Sequence, residues 1–378
     1  MGGPPDICAR LVSTDVQFDA RRPFASLWRN LRSANGEPQA GTRQDAMPGR
    51  CSVMLRRTTG MALCAVVLTC VATQALDLRP GLGVAIGYEH LATWDGESEQ
   101  DPWLRIPFDV AVSQDNHLYV CDMSRRMLLK STLEDGIPKA TDWVMSPISM
   151  ERPFTWPVAV AVSGDPQRQC YVADFLAGHV LVCDEHQHEV ELIETAGGAG
   201  DIKGPRGVAY TPGFFGPSRL YITDFTRNCV FRFSDNQWSR WGGRGSAPGQ
   251  FKKPCGIACS VDGGFVYVVD RDNHRIQQFD GDGDFVKQWG GRGDGPGRFA
   301  YPEGIAVSPT GAIFVTDTGN DRVQKFSATG GFILQWGQNG DKDDPFGFDK
   351  PRGIAVSPDG HVYVCDSGNG ALKIYRKK

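Results

Sequence analysis

The chain is short of the residues that metal chemistry needs. It has seven His in 378 residues, and the closest pair, His186 and His188, stands inside a turn, where solvated polarity is commoner than metal binding. Four of its 11 Cys (Cys8, Cys51, Cys64, Cys70) precede residue 77, and the seven that follow include no CxxC pair, the usual zinc-clasp signature. No nucleophile or general base stands out. Charge of one sign is not in excess either: the net charge is −4, residues 1–76 hold nine Arg, no Lys and five acids (+4), and residues 77–378 therefore carry −8, a poor balance for a general polyanion binder. Long apolar runs are missing too. Residues 58–76 span 19 positions diluted by four Thr, two Cys and a Gln, short and weak for a permanent membrane span. Two glycine-rich motifs fail on inspection. The run GGRGDGPGR at 290–298 leads into a strand, without the helix N-terminus that a phosphate cradle requires. Asp280-Gly281-Asp282-Gly283-Asp284 has Phe285 and Gly291 where a calcium loop needs Gly and Glu, which leaves a hairpin turn.

What the chain has in quantity is turn residues, 46 Gly and 24 Pro, around short β-branched and aromatic runs. Residues 302–336 contain four such runs (304–307, 313–316, 322–326, 332–336) separated by Gly, Pro, Asp and Asn clusters, the pattern of a four-stranded antiparallel meander with no room for a helix. The pattern repeats. The proline before each first strand recurs at Pro107, Pro157, Pro205, Pro254, Pro302 and Pro351, spaced by 50, 48, 49, 48 and 49 residues. The Asp ending each second strand recurs at Asp122, Asp174, Asp224, Asp270, Asp317 and Asp366, so two independent markers give six units. The sixth runs out of chain at Lys378 after three strands. Trp94 stands 13 residues before Pro107, as Trp241 does before Pro254 and Trp289 before Pro302. The spacing therefore predicts that Tyr88–Trp94 supplies the missing fourth strand by pairing with Ala371–Tyr375, leaving no open edge.

Before the repeats, residues 1–53 show no sustained period and read as a disordered leader or a mis-predicted extension. Residues 54–76, MLRRTTGMALCAVVLTCVATQAL, have Arg56 and Arg57, an apolar stretch and small residues at Thr73 and Ala75, the layout of a signal peptide cleaved near Ala75. An uncleaved signal anchor and a buried core segment stand as the alternatives. Residues 77–378 form the repeat domain, expected to be monomeric and to work outside the cell or in the secretory lumen. If residues 58–76 stay as an anchor, it is instead a single-pass membrane protein with that domain outside. Cys170 falls opposite Cys183 if strands two and three of the second unit pair around residues 175–178. A cross-strand disulfide and two free buried thiols both fit.

The strings P-x-G-I-A-V, Y-V-x-D, N-x-R-I-Q-x-F and F-x-x-x-W-G resemble the NHL repeat, with Asn273-His274-Arg275 and Asn320-Asp321-Arg322 at the position of the Asn-His-Leu tripeptide that names it. The resemblance covers residues 83–378, strongest in the last three units. It implies a six-bladed β-propeller, all-β, closed here by the N-terminal strand. Members include the C-terminal propellers of tripartite-motif ubiquitin ligases, which bind RNA or protein, sensor domains of bacterial receptor kinases, and peptidyl-hydroxyglycine lyase. Residues 1–76 have four scattered Cys and no His, so no RING or B-box supports ubiquitin transfer, and there is no kinase signature. The lyase members hold zinc through His brought to the channel from separate blades. None of His90, His117, His179, His186, His188, His274 and His361 lies in a Pro-x-Gly lead-in.

Ligands of propellers usually sit over the axial channel, on the rim that carries the loops into strand one and between strands two and three. The residues following the six prolines are Phe108, Val158, Arg206, Cys255, Glu303 and Arg352. Arg206, Glu303 and Arg352 either hold a small carboxylate or phosphate or pair with one another across the channel. The same rim in units three to five is basic, with Arg227, Arg271, His274, Arg275 and Arg322 joined by Arg244, Lys252, Lys253, Arg292 and Arg298. Arg275 and Arg322 follow Asp270 and Asp317 by five residues, which also suits bracing of their own hairpins. The expected function is a non-enzymatic module binding a protein or anionic ligand, with no catalytic residue, no metal and no cofactor. The alternatives are a lyase-like or lactonase-like enzyme, which would need zinc or calcium, and an RNA-binding propeller.

Overall fold

The computed structural model describes residues 87–95, 104–145, 153–164, 168–184, 186, 188–212 and 217–378. The leader and signal-like segment at 1–76 lie outside the described residues. Among the described residues no helix is long and apolar enough to cross a membrane. Six four-stranded antiparallel sheets form six blades. Blade one is Pro107–Val112, His117–Asp122, Met127–Glu134 and Ile137–Met145, and blade two is Pro157–Val162, Cys170–Asp174, His179–Cys183 and Glu189–Ile193. Blade three is Pro205–Thr211, Arg219–Asp224, Cys229–Ser234 and Gln237–Gly242, and blade four is Pro254–Cys259, Phe265–Asp270, Arg275–Asp280 and Phe285–Gly290. Blade five is Ile305–Val307, Ile313–Asp317, Arg322–Phe326 and Phe332–Trp336. Blade six combines Pro351–Val356, Val362–Asp366 and Ala371–Lys377 with Tyr88–Trp94.

That last sheet is the expected closure. Tyr88 pairs with Lys377 and Trp94 with Leu372, with one irregularity between His90 and Ala92. Tyr88 then stacks on Trp336 of blade five, ring centroids 5.1 Å apart. The N-terminal strand thus covers the hydrogen-bonding edge that Ala371–Lys377 would otherwise leave open and fills part of the seam beside it.

The recurrent Asp explains why each unit folds alike. All six are fully buried. Each accepts backbone N–H groups from the loop entering its own blade: Arg105 to Asp122, Trp156 to Asp174, Lys203 to Asp224, Lys252 to Asp270, Ala300 to Asp317 and Asp349 to Asp366. One carboxylate therefore satisfies a loop that would otherwise bury unpaired donors. The glycine of the Pro-x-Gly lead-in has a different cause. First strands crowd around the axis, and a Cβ at Gly256, Gly304 or Gly353 would fall on backbone of the next blade, at Glu303, Arg352 and Asp109 respectively. Cys170 and Cys183 are direct cross-strand partners with free thiols, and burial pushes both up to about 12.

Candidate functional site

The six residues after the prolines do converge. Phe108, Val158, Arg206, Cys255, Glu303 and Arg352 line one cavity of ≈ 90 Å³ at the axis. Glu303 is its centre: it is 6% exposed and accepts Arg206 Nη2 at 2.7 Å, Arg352 Nη1 at 2.6 Å and Arg271 Nε at 3.3 Å. Burial alone would raise this carboxyl, but the guanidiniums of Arg206, Arg352 and Arg271 outweigh it and hold the group below its ordinary value. Arg271 also pairs with Asp272 at 2.6 Å, and Lys253 with the same carboxylate at 3.4 Å. Four cations thus face two carboxylates, leaving the mouth about two charges positive, in a domain whose sequence balance is negative.

The residue after each recurrent Asp forms a second ring above the first. In blades one to three it is Met123, Phe175 and Phe225; in blades four to six it is Arg271, Thr318 and Ser367. Thr318 and Ser367 donate to the Pro351 and Pro107 carbonyls and are occupied in holding neighbouring blades. The three apolar residues, with Phe108 and Trp156, wall a basin of ≈ 440 Å³ whose other wall is Arg206, Lys253, Arg271, Glu303 and Arg352. Phe108 lies 4.2 Å from the Arg206 guanidinium and 4.7 Å from that of Arg352, distances at which ring and cation attract. Trp156 is 40% exposed and stacks on Phe175. A chemically two-sided site results, cationic on one half and aromatic on the other.

Below the mouth, Asp109 occupies the lead-in position where blades three to six have Gly. Its carboxylate accepts the Val160 N–H of blade two at 3.0 Å. Burial pushes it up to about 7, against the pull of its hydrogen bonds and of Arg206.

The other basic positions named from sequence do not join this site. Arg275 and Arg322 are buried braces. All five donors of Arg275 are engaged, by Asp270, Ser246, Gln288, Ala247 and Gln250. Those of Arg322 are engaged by Asp317, Asp294, Gln335, Gly295 and Arg298, which leaves neither guanidinium a donor for a ligand. His274 accepts the Tyr301 N–H through Nδ1 and packs edge-on against that ring. Burial, with Arg292 nearby, lowers its pKa and favours the neutral form. Arg227 turns outward to Asp201 at 3.7 Å. Of the eight expected residues, the structure unites Arg206, Arg271, Glu303 and Arg352. Phe108 of the apolar wall follows from the proline register, whereas Met123, Phe175 and Phe225 were not named from sequence although they stand one residue beyond the marker Asp of blades one to three. Among the described residues, no group of three or more His, Cys, Asp or Glu side chains is placed to hold a metal ion.

Comparison with known structures agrees with the fold. A streptogramin B lyase structure superposes with a TM-score of 0.53 at 10% identity, over 77% of this chain and 98% of its own. A virginiamycin B lyase from Staphylococcus aureus gives 0.51 at 11% identity, over 76% and 98%. An auxiliary nutrient binding protein from Bacteroides thetaiotaomicron VPI-5482 gives 0.54 at 13%, over 72% and 69%. At such identities the likeness is one of fold. No curated protein matches the chain. The NHL repeat profile matches residues 251–279, 299–326 and 348–375, one segment in each of blades four to six. These are the blades in which an Asn (Asn273, Asn320, Asn369) donates to the marker Asp three residues earlier. The chain carries NHL repeats and is built as a six-bladed β-propeller.

Proposed function

We propose that the propeller is a binding module whose channel mouth takes an anionic ligand with an apolar or aromatic body. The observation that carries this is the unbalanced cluster of Arg206, Arg271, Arg352 and Lys253 around Glu303 and Asp272, set against an open aromatic wall. A purely structural ion pair would need one guanidinium for one carboxylate. Three on Glu303 leave donors and positive charge for a carboxylate or phosphate, while Trp156, Phe175 and Phe225 offer faces for the body to stack on. The ligand is either a small molecule or an acidic side chain presented by a partner protein. With the signal-like stretch at 54–76, the setting is the secretory pathway or the cell exterior.

The test is a binding screen of the purified protein against aromatic carboxylates and phosphates, read by Trp fluorescence and calorimetry. Saturable binding that weakens with salt and is lost in an Arg271→Gln/Arg352→Gln variant supports the reading. Binding indifferent to both refutes it. A second, enzymatic reading has one observation behind it, the near-neutral Asp109 inside the channel, a pKa suited to proton transfer. Stoichiometric zinc or calcium on elemental analysis of the purified protein would favour that reading.

A further inference from the structure

On the face opposite the mouth, where strands one and two and strands three and four turn, neighbouring blades are stitched by a recurring cross-strand pair. In blade three the pair is Tyr221 and Arg232. Tyr221 OH and Arg232 Nη1 both donate to the Gly281 carbonyl of blade four at 2.9 Å, and Arg232 also pairs with Asp282. In blade five the pair is Phe314 and Lys325, and Lys325 Nζ donates to Tyr88 OH of blade six at 3.1 Å. Tyr363 of blade six reaches the Gly136 carbonyl of blade one at 2.9 Å.

The second member of the pair varies around the ring, being Val182 in blade two and Ile374 in blade six, and blade four has an uncharged polar residue there. Its pair is Tyr267 and Gln278, 2% and 3% exposed, and neither stitches the seam to blade five. Gln278 is shorter than the Arg of blade three or the Lys of blades one and five at the same position, and the facing turn is tied instead from the outer strand, by Lys287 Nζ donating to the Thr329 carbonyl at 2.9 Å. Its Oε1 is buried without a partner. The seam stands open as a cleft of ≈ 770 Å³, walled by Val261, Phe265, Val286, Val307, Pro309 and Ala328, with Tyr267 and Gln278 lining it. That volume lies within the range of small-molecule sites, which pair a mostly apolar wall with a few polar groups that fix orientation. Leaving a buried amide oxygen unpaired is costly, and a ligand donor would relieve that cost. Asp262 and Lys287 at the edge carry one charge of each sign, and Lys287 is held by the Thr329 carbonyl, so the cleft favours no net charge.

We infer that the seam between blades four and five is a second binding site, separate from the mouth, for a small uncharged and mainly apolar molecule carrying an amide that pairs with Gln278.

The test uses N-benzylacetamide as probe and benzyl acetate, which lacks the N–H, as control, titrated into the full protein by ligand-observed NMR and calorimetry. The expected result is one saturable site per chain for the amide, with the ester weaker by about tenfold, as the loss of one buried hydrogen bond implies. Gln278→Arg should re-create the blade-three stitch, fill the cleft, abolish probe binding and leave phosphate binding at the mouth unchanged. Gln278→Leu keeps the fold without the amide and should bring amide and ester to equal affinity. The inference is overturned by absence of saturable amide binding, by equal binding of amide and ester to the native protein, by binding that survives Gln278→Arg, or by a cleft that takes only extended peptides.

Discussion

Replacing Glu303 with Gln removes the one carboxylate shared by Arg206, Arg271 and Arg352 while keeping its shape. Two effects of opposite sign follow. Taking one partner from a buried ion cluster costs about 3–5 kcal/mol. The three guanidiniums are 12%, 26% and 23% exposed, so water screens part of the freed charge, and the low end, about 3 kcal/mol, is the better figure. In a domain of this size that lowers the melting temperature by roughly 6–12 °C. The mouth meanwhile gains one positive charge. At about 4 Å and an effective dielectric of about 20, one further charge pair is worth at most about 4 kcal/mol. With the mouth open to solvent, about 1.4 kcal/mol is the expected remainder, or roughly tenfold tighter anion binding. The assay is thermal unfolding in chloride and in inorganic phosphate at equal ionic strength. Phosphate should restore part of the stability lost by the variant and stabilise the native protein less, through preferential binding to the folded state. A variant as stable as the native protein in chloride would show that Glu303 holds nothing together. Equal stabilisation of both by phosphate would show that the arginines form no anion site.

Three other perturbations probe the scaffold. Because burial raises Asp109 to about 7, the folded protein keeps a proton there that the unfolded chain loses near the ordinary Asp value of 3.8. Stability should therefore fall as pH rises from about 4 to about 7 and level off above. Asp109→Asn, which retains an acceptor for Val160, should remove that slope and gain up to about 4 kcal/mol at pH 8. The smaller slope from Asp366, raised to about 6, should remain, and urea unfolding across pH reads both. Gly304→Ala places a methyl on the Arg352 carbonyl and should cost about 2–3 kcal/mol in urea unfolding. Gly295→Ala, which meets nothing within 4 Å, should be near neutral. Lys373→Gln should cost about 3 kcal/mol, since Lys373 Nζ satisfies the Asp341, Asp344 and Gly347 carbonyls and pairs with Asp366. The double variant Ala371→Arg/Lys373→Gln copies the Arg275/Gln277 arrangement of blade four and should recover most of that loss. A thermal-melt double-mutant cycle without recovery would disprove the equivalence of the two braces.

Position in the repeat was legible, and direction of a side chain often was not. Pro and Asp recur because backbone geometry demands them, so the six units and the closure by Tyr88–Trp94 followed from spacing alone. The mouth residues followed for the same reason, since register places whatever comes after each proline at the axis. Charge was a poorer guide. Arg271 and Arg275 are four residues apart in one blade, yet one faces the mouth and the other bonds the carbonyls of Ser246, Ala247 and Gln250. Only the course of the loop before blade four settles which does which. The seam cleft was illegible because it arises from what Gln278 fails to reach.

The division between braced and unbraced blades bears on how the mouth would choose its ligand. Blades four to six have the Asn-to-Asp bond, and blades four and five add the fully engaged Arg. They supply Arg271, Glu303 and Arg352, the charged half, with Arg206 contributed by blade three. Blades one to three have Arg125, Ala177 and Arg227 in place of that Asn and supply Met123, Phe175, Phe225, Phe108 and Trp156, the apolar half. An ionic contact rewards donors held in fixed geometry, whereas stacking and dispersion tolerate shifts of position. The side of the ring with the fuller polar bracing is thus the side where precision matters to an anion. The repeat profile matches the three blades with that bracing and not the three that supply the aromatic wall.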